Sequence, residues 1–311
     1  MHTSTHQHIN IAFHSTQFSM TEWQGAFDAV ASNIQLHNIH PNNSSGGDIS
    51  RIEVLLLWKP SVTDWRSATR LQHVIYLGAS IDSAEQHLQL PDDVTVHRLH
   101  DAGMKNAMCD YAEYAVLHYQ RRFDIFAQAQ RQQQWINDRD YKQRDDINVC
   151  VLGLGILGGA IATHLQQVGY CVSGWSRSFK NIDNIDTYYG DDAFNDAIDK
   201  CDIVINMLPH TQDTYHFLNH QRLSLLPQGA ALISLSRGAI IDTSALVALL
   251  NNEHLRGAFL DVFEAEPLSK ENPLWHHPKV TITPHQSAPT QITEAAKEII
   301  LLLNKTSTVI G

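Results

Sequence analysis

Cysteines are few in this sequence, and nothing in their arrangement suggests cross-links or a metal site. The chain has 311 residues and only 4 cysteines. Most of them lie in or beside apolar runs, which predicts small buried side chains in a reducing environment. The 19 histidines are scattered and no C-x-x-C pair occurs, so no metal site is predicted. The cysteines are Cys109, Cys150, Cys171 and Cys201.

Basic residues and long apolar runs are also scarce. Lys and Arg number 22 against 33 Asp and Glu, which gives a formal net charge of −11. Such a chain repels phosphate backbones, so a nucleic-acid partner is not predicted, although a local basic pocket can still bind one anion. No apolar run approaches the ~18 residues that span a bilayer. Residues 1–10 lack the pattern of a secretory signal, so we expect a cytoplasmic protein without a membrane partner.

What the sequence does contain is a repeated alternation of short apolar runs and helical patterns. This alternation is typical of open α/β sheets, and continuous apolar runs indicate buried parallel strands. The periodicity also predicts helices over residues 20–32, 104–131 and 291–304. Strands are predicted at 9–13, 34–39, 54–58, 73–77, 94–99, 147–152, 171–175, 203–208, 231–236, 257–261 and 280–282.

These elements predict two α/β domains with a cleft between them, each a Rossmann-like or flavodoxin-like doubly wound parallel sheet. We expect residues 1–102 plus 285–311 to form the substrate-binding, catalytic domain. Residues 103–284 are expected to form the nucleotide-binding Rossmann domain. The long helix over 104–131 is a candidate connector between them and, given its apolar width, a candidate homodimer interface.

A glycine pattern stands directly after the strand predicted at 147–152. It fits G-x-G-x-x-G, in which Gly153 permits the tight turn, Gly155 lets the backbone approach a pyrophosphate, and Gly158 lets helix and strand pack closely. The helix N-terminus then faces the anionic phosphates. The segment predicted to bind a dinucleotide is Gly153, Leu154, Gly155, Ile156, Leu157 and Gly158.

The tip of the next strand indicates which dinucleotide is bound. Enzymes that use NAD usually carry Asp or Glu there to bind the ribose 2′-hydroxyl. Here Ser176 takes that place and Arg177 follows it, and a guanidinium can grip a 2′-phosphate with two hydrogen bonds. We therefore expect NADPH, with NADH as a weaker alternative; otherwise Arg177 is a solvated loop residue. The predicted contacts at this tip are Trp175, Ser176, Arg177, Ser178 and Lys180.

Three further segments carry polar residues where predicted strands end. Hydride delivery to a keto carbon builds negative charge on its oxygen, so the site needs a cation and a proton donor beside that oxygen. Arg237 follows one strand, Asp261 to Glu266 follow another, and His285 follows a third. Ligands bind at this carboxyl edge of parallel sheets, which makes these residues candidates for the chemistry.

The order S-R-G, D-V-F-x-x-E-P and T-P-H resembles the D-isomer-specific 2-hydroxyacid dehydrogenase family. The segments 77–82, 175–178, 208–214 and 273–278 are similar to the glyoxylate/hydroxypyruvate reductase A subgroup, and the resemblance extends from about residue 9 to the end of the chain. The family's pattern implies further cofactor contacts. They are Leu208, Pro209, Thr214, Leu235, Ser236 and Asp261.

The resemblance also implies catalytic roles. Arg237 holds the substrate carboxylate and polarises the keto oxygen, His285 donates the proton, and Glu266 orients His285 and favours its protonated form. Glu264 is the alternative to Glu266, but the position before Pro267 matches the family. Asp261 is expected to face the nicotinamide carboxamide, or else to cap a loop.

Substrate contacts are implied in the first domain. Backbone amides around Leu77, Gly78 and Ala79 are expected to hold the carboxylate, together with Arg237 and His285. Trp58 walls the pocket or else belongs to the core. Two positions depart from the family, with Lys59 where relatives often carry His and Ser80 where they often carry Gly. Lys59 is a further candidate for the pocket wall, and Trp135 is a candidate to reach a partner subunit's pocket.

The activity implied is reduction of glyoxylate and hydroxypyruvate to glycolate and D-glycerate with NADPH. A bulkier 2-oxo acid such as phenylpyruvate is the alternative substrate. A dinucleotide-sensing binding module is the alternative class of protein, and the complete set of Arg237, Glu266 and His285 argues against it.

Overall fold

The computed structural model describes residues 9–31, 33–39, 49–78, 88–137 and 140–305. The chain divides into two compact units, Met1–Met104 with Thr290–Gly311, and Lys105–Pro289. From the sequence, the changes of domain were expected after residues 102 and 284; this division of the chain falls after Met104 and Pro289.

The first unit contains a five-stranded parallel sheet in the order β2-β1-β3-β4-β5. The side chains of Val54 to Leu57 on β3 are fully buried, as their continuous apolar run predicted. The strand order 2-1-3-4-5 is the flavodoxin-like doubly wound arrangement. The strands are β1 (Ile9–Ser15), β2 (Ile34–Asn38), β3 (Val54–Trp58), β4 (His73–Tyr76) and β5 (Thr95–Arg98).

The second unit contains a seven-stranded parallel sheet in the order β12-β11-β10-β9-β6-β7-β8. Strands β7 and β8 are added on one side of β6, and β9 to β12 are added on the other. The order of the strands therefore reverses between β6 and β9, which is the position where doubly wound sheets bind ligands. The strands are β6 (Asn148–Leu152), β7 (Cys171–Ser176), β8 (Asp186–Tyr189), β9 (Ile203–Asn206), β10 (Ala231–Ser234), β11 (Gly257–Leu260) and β12 (Val280–Ile282).

The two sheets confirm the predicted fold class, a pair of doubly wound α/β domains. One strand was missed. β8 lies at the edge of its sheet, is four residues long and is only partly buried, so it lacks the apolar run by which the other strands were predicted.

The helix predicted over residues 104–131 is broken into two. Arg122 adopts a left-handed backbone conformation with φ of 60°, and its N–H donates to the carbonyl of Tyr119. The second helix then turns toward β11, where the Arg256 guanidinium binds both carboxylate oxygens of Asp124 at 2.7 and 2.8 Å. The helical period continues across the break, so periodicity alone did not reveal it.

The remaining helices flank the sheets. Asp242 caps α7 by accepting hydrogen bonds from the N–H groups of Ser244 and Ala245. None of the helices in the described ranges is both long and apolar enough to cross a bilayer. The helices are α1 (Met20–Val30), α2 (Met104–Gln120), α3 (Phe123–Arg131), α4 (Ile156–Gln167), α5 (Phe194–Ile198), α6 (His220–Leu223), α7 (Thr243–Asn251) and α8 (Ile292–Lys305).

Candidate active site

The glycine turn between β6 and α4 has the geometry that its sequence predicted. Gly153 has a φ of +99°, and a Cβ there would lie 2.7 Å from the Met207 backbone. A Cβ on Gly158 would lie 1.9 Å from the Gly153 carbonyl oxygen, so helix and turn touch directly. A Cβ on Gly155 meets no atom of the described chain within 4 Å, so the turn has an open face there.

This open face fits the diphosphate of a dinucleotide. Gly155 is exposed and precedes the first residue of α4, so the free N–H groups of the helix N-terminus and its positive dipole end lie beside it. Leu154 is buried against Gly174, whereas Ile156 is half-exposed at the start of the helix. Leu157 is partly buried against the core of the unit.

Alanine at two of these glycines separates stability from binding. We expect Gly158→Ala to lower both the stability of the fold and the affinity for the dinucleotide. Its Cβ overlaps the Gly153 backbone, and overpacking costs about 1–3 kcal/mol. Gly155→Ala should keep the stability and weaken dinucleotide binding, because its Cβ enters only the open face. Urea unfolding and nucleotide titration of both variants measure this, and equal behaviour of the two variants would contradict it.

The tip of β7 presents a cation rather than a carboxylate. Ser176 is buried and its Oγ donates to the Ser178 carbonyl at 2.6 Å, which shapes the turn that carries Arg177 outward. The Arg177 side chain is 78% exposed, and its Nη1 lies 3.0 Å from Oδ2 of Asp213. Lys180 is also exposed. Trp175 is buried beneath the turn and donates to the Gly190 carbonyl.

The remaining predicted cofactor residues lie where β9 and β10 end. Leu208 and Leu235 are buried, and the Oγ1 of Thr214 donates to the carbonyl of the exposed Pro209 at 2.6 Å. The Ser236 hydroxyl is buried and has no hydrogen-bond partner among the described residues. A buried hydroxyl without a partner is costly, so Ser236 is a candidate for a ligand contact.

Arg237 lies three residues after the end of β10 and is partly buried. Its Nη1 donates to the Ser236 carbonyl at 2.6 Å. The next residue, Gly238, lies against the loop after β11, because a Cβ there would be 2.0 Å from the Phe263 carbonyl carbon. The guanidinium charge acts on Glu266 of that loop and helps to lower its pKa.

Glu266 and His285 are hydrogen-bonded to each other within the same unit. The distance between Glu266 Oε2 and His285 Nδ1 is 2.7 Å, and Glu266 Oε1 accepts from the N–H of Phe263 at 3.0 Å. Burial acts to raise the pKa of Glu266, but hydrogen bonds from His285 and Phe263 and the charge of Arg237 hold it below its usual value. Glu266 is therefore a carboxylate at neutral pH, and its bond at Nδ1 fixes the imidazole orientation.

Glu264, the alternative carboxylate, lies elsewhere on the same loop. Its Oε1 accepts from the Tyr215 hydroxyl at 3.0 Å, and its Oε2 lies 3.5 Å from Nε2 of His216. Of the two glutamates, it is Glu266 that contacts His285.

The Asp261 carboxylate organises the loop that carries His285. Asp261 is 0% exposed. Its oxygens accept from the backbone N–H groups of Gln286 and Ser287, each at 2.9 Å, and from the Thr283 hydroxyl at 2.6 Å. Its carbonyl accepts from the N–H of His285 at 2.8 Å. Asp261 was expected to face the nicotinamide, with loop capping as the alternative; these contacts are those of a loop cap, and the nicotinamide contact stays a prediction.

Tyr111 on α2 completes the Asp261 network, and it was not predicted. Its hydroxyl lies 3.3 Å from the Asp261 carboxylate, and burial raises its pKa to about 12, so it remains a donor at neutral pH. In the sequence, Tyr111 belongs to the apolar pattern of the predicted helix, and that pattern indicates only a core residue. His285 itself has a φ of 54°, a conformation that non-glycine residues seldom adopt and that this network holds in place.

The lowered pKa of Glu266 sets the sign of a pH effect on stability. The unfolded carboxyl binds a proton near its usual pKa of 4.5, above that of the folded one. Its contribution to stability is therefore present above that value and is lost as the pH falls through the folded pKa. We expect Glu266→Gln to have a lower urea midpoint of unfolding than the parent protein at about pH 7. The two midpoints should approach each other near about pH 4. A difference that grows on acidification would contradict this.

In the first unit, the predicted substrate residues lie at the carboxyl ends of β3 and β4. Trp58 is partly buried, and its ring stacks on Phe18 with centroids 5.5 Å apart. A Cβ on Gly78 would lie 2.2 Å from the Trp58 ring, so this glycine makes room for the indole. Leu77 is fully buried, and Lys59 is exposed with its Nζ 6.0 Å from the centre of the Trp58 ring. Ala79 and Ser80 lie outside the described residues.

Within the second unit, the structure brings Arg237, Glu266 and His285 together at the carboxyl edge of a sheet whose first turn fits a dinucleotide. No group of three or more potential metal ligands occurs in the part of the chain that the structure describes. A fixed guanidinium and an oriented imidazole suit a carbonyl that gains or loses a hydride and a proton. The fold and site therefore define a dinucleotide-dependent oxidoreductase.

Comparison with known proteins identifies the family. Residues 114–287 match the D-isomer specific 2-hydroxyacid dehydrogenase, NAD binding domain. Glyoxylate/hydroxypyruvate reductase A of Citrobacter koseri is 34% identical over 296 residues, which are 94% of this chain and 93% of that protein. The chain belongs to the D-isomer-specific 2-hydroxyacid dehydrogenase family.

Solved structures agree with this assignment. A D-isomer specific 2-hydroxyacid dehydrogenase from Xanthobacter autotrophicus, in complex with NADPH and MES, is 33% identical with a TM-score of 0.88 and covers 95% of this chain and 94% of its own. An NADPH-dependent glyoxylate/hydroxypyruvate reductase from Sinorhizobium meliloti, in complex with NADP and sulfate, is 25% identical with a TM-score of 0.87. The match covers 97% of this chain and 96% of that one.

Proposed function

We propose that this protein reduces glyoxylate and hydroxypyruvate to glycolate and D-glycerate, with NADPH as the hydride donor. The observation that carries the proposal is Arg237 beside the hydrogen-bonded pair of Glu266 and His285, at the carboxyl edge of a dinucleotide-binding sheet. The names of the Citrobacter and Sinorhizobium relatives support the choice of substrates.

The cofactor is proposed from the tip of β7. A carboxylate there would bind a ribose 2′-hydroxyl and repel a 2′-phosphate, but this chain has Ser176 and the exposed cation Arg177. The Xanthobacter and Sinorhizobium structures contain NADPH and NADP, which supports the same choice. NADH is a weaker alternative because the diphosphate site at Gly155 serves both.

The three catalytic residues have different tasks. Bound NADPH supplies the hydride to the keto carbon. Arg237 binds the substrate carboxylate and stabilises the negative charge that develops on the keto oxygen, for which its planar fork of N–H donors is suited. His285 donates a proton to that oxygen. Glu266 accepts a hydrogen bond from the Nδ1–H of His285, so the other ring nitrogen, Nε2, is the one available to act as the acid.

A panel of 2-oxo acids tests the proposal. NADPH oxidation is followed by absorbance with glyoxylate, hydroxypyruvate and phenylpyruvate, and the series is repeated with NADH. We expect higher kcat/KM for the two small acids than for phenylpyruvate, and for NADPH than for NADH. A higher kcat/KM for phenylpyruvate would mean that the substrate is a bulkier 2-oxo acid. Nucleotide binding without turnover of any acid would indicate a binding module instead of an enzyme.

We also infer a homodimer formed through α2, α3 and the segment after them. This surface exposes large apolar side chains, with Tyr114 58%, Phe123 52% and Trp135 99% exposed. Large exposed aromatic residues are typical of interaction surfaces. Light scattering during size exclusion measures the mass, and a monomer at micromolar concentration would contradict the inference.

A further inference from the structure

The cation that is proposed to bind the 2′-phosphate already has an acidic neighbour. Arg177 Nη1 and Asp213 Oδ2 are 3.0 Å apart, and their side chains are 78% and 77% exposed. Arg177 belongs to the turn after β7, whereas Asp213 lies in the connection after β9. The pair therefore links two loops at the carboxyl edge of the sheet in the second unit.

Asp213 is held in place by the turn that contains it. Residues Gln212–Thr214 form one turn of 3₁₀ helix, which Thr211 and Thr214 close with a reciprocal capping box. Thr214 Oγ1 also donates to the Pro209 carbonyl at 2.6 Å. The backbone under Asp213 is thus fixed by its own hydrogen bonds and does not depend on the salt bridge with Arg177.

We propose that Asp213 is a specificity-determining residue that opposes binding of the 2′-phosphate and so limits the preference for NADPH over NADH. The proposal rests on the cofactor assignment made above. A 2′-phosphate carries nearly two negative charges at neutral pH. To bind Arg177, the phosphate must displace Asp213 from the guanidinium or share the guanidinium with it. In either case the Asp213 carboxylate repels the phosphate at close range.

Charge decides the direction of this effect. The alternative is that Asp213 orients Arg177 and thereby helps the phosphate. Exposed ion pairs contribute little free energy, so one contact with Asp213 holds the exposed Arg177 side chain only weakly in any one orientation. Repulsion between a carboxylate and a doubly charged phosphate persists even when the arginine is shared. Removing the charge at Asp213 should therefore strengthen binding of the phosphorylated nucleotide.

The test is calorimetric titration of Asp213→Asn with NADPH, NADH and 2′,5′-ADP. We expect the Kd for NADPH and for 2′,5′-ADP to fall about two- to five-fold, the range of an exposed charge pair, with the Kd for NADH unchanged. Asp213→Glu, which keeps the charge, should resemble the parent protein. Asp191→Asn is the matched control, because Asp191 is 75% exposed and pairs with a different arginine, Arg222, at 3.3 Å.

The outcomes separate this proposal from the cofactor assignment. If Asp213→Asn leaves the Kd for NADPH unchanged or raises it, Asp213 does not oppose the phosphate. If the Kd values for NADPH and NADH fall equally, the charge at Asp213 acts on the whole nucleotide and the proposal is wrong. Arg177→Ala tests the assignment itself: a Kd for NADPH that does not rise means that Arg177 does not bind the phosphate, and both proposals fail.

Discussion

Replacement of Arg237 by alanine is expected to lower kcat/KM for glyoxylate by at least ~10²–10³, the usual cost of losing one donor to a developing oxyanion. The loss should be larger here, because the same side chain is proposed to bind the substrate carboxylate. Arg237 is partly buried beside Glu266, where its charge is less screened than at an exposed position.

The lysine variant divides this effect into two parts. Arg237→Lys keeps the positive charge but loses the planar fork that can bind two oxygens at once. We expect it to recover some of the activity lost in the alanine variant, with KM for glyoxylate still raised. A kcat near zero with a normal KM would instead place Arg237 on the keto oxygen alone.

Controls must show that only the chemistry has changed. Arg66→Ala removes an exposed arginine that pairs with its neighbour Asp64 in the first unit, and it should leave kcat/KM as it was. Thermal unfolding and the Kd for NADPH of Arg237→Ala should resemble those of the parent protein. A decrease in kcat/KM of less than about tenfold would reject the proposed role, because loss of one such donor costs far more.

Replacement of Asp261 by alanine is expected to reduce both stability and activity. The substitution leaves the N–H groups of Gln286 and Ser287 and the Thr283 hydroxyl without their acceptor, and an unpaired donor that is buried, as the Ser287 N–H is, costs about 1–3 kcal/mol. We expect the free energy of unfolding to fall by about 3 kcal/mol or more. Because the same contacts hold the loop of His285, kcat should fall by about 10²-fold.

Nucleotide affinity distinguishes the two roles considered for Asp261. If Asp261 acts by positioning His285, kcat falls while the Kd for NADPH changes little. If it contacts the nicotinamide, that Kd rises. Asp242→Ala is the matched control, since it also removes two backbone hydrogen bonds, at the N-terminus of α7, and should cost about 1 kcal/mol without loss of kcat. Equal losses of kcat in both variants would mean that Asp261 has only a general structural role.

Much of the fold could be predicted because its signals are local. The strand over Val54–Trp58 and the turn at Gly153 were predicted from a few consecutive residues, and the structure has both in those places. The break at Arg122 was not predicted, because helical period continues on both sides of it. The edge strand Asp186–Tyr189 was missed because its four partly exposed residues contain no continuous apolar run.

The sequence by itself determined the parts of this protein that depend on neighbouring residues: the parallel strands, the glycine turn, and the motifs that contain Arg237, Glu266 and His285. Only the tertiary structure decided which side chains meet. It turned Asp261 inward under the loop of His285 and set Asp213 against Arg177. The physical reason is that a parallel sheet gathers loops from distant parts of the chain at one edge, where their hydrogen bonds and charges depend on packing that no local pattern records.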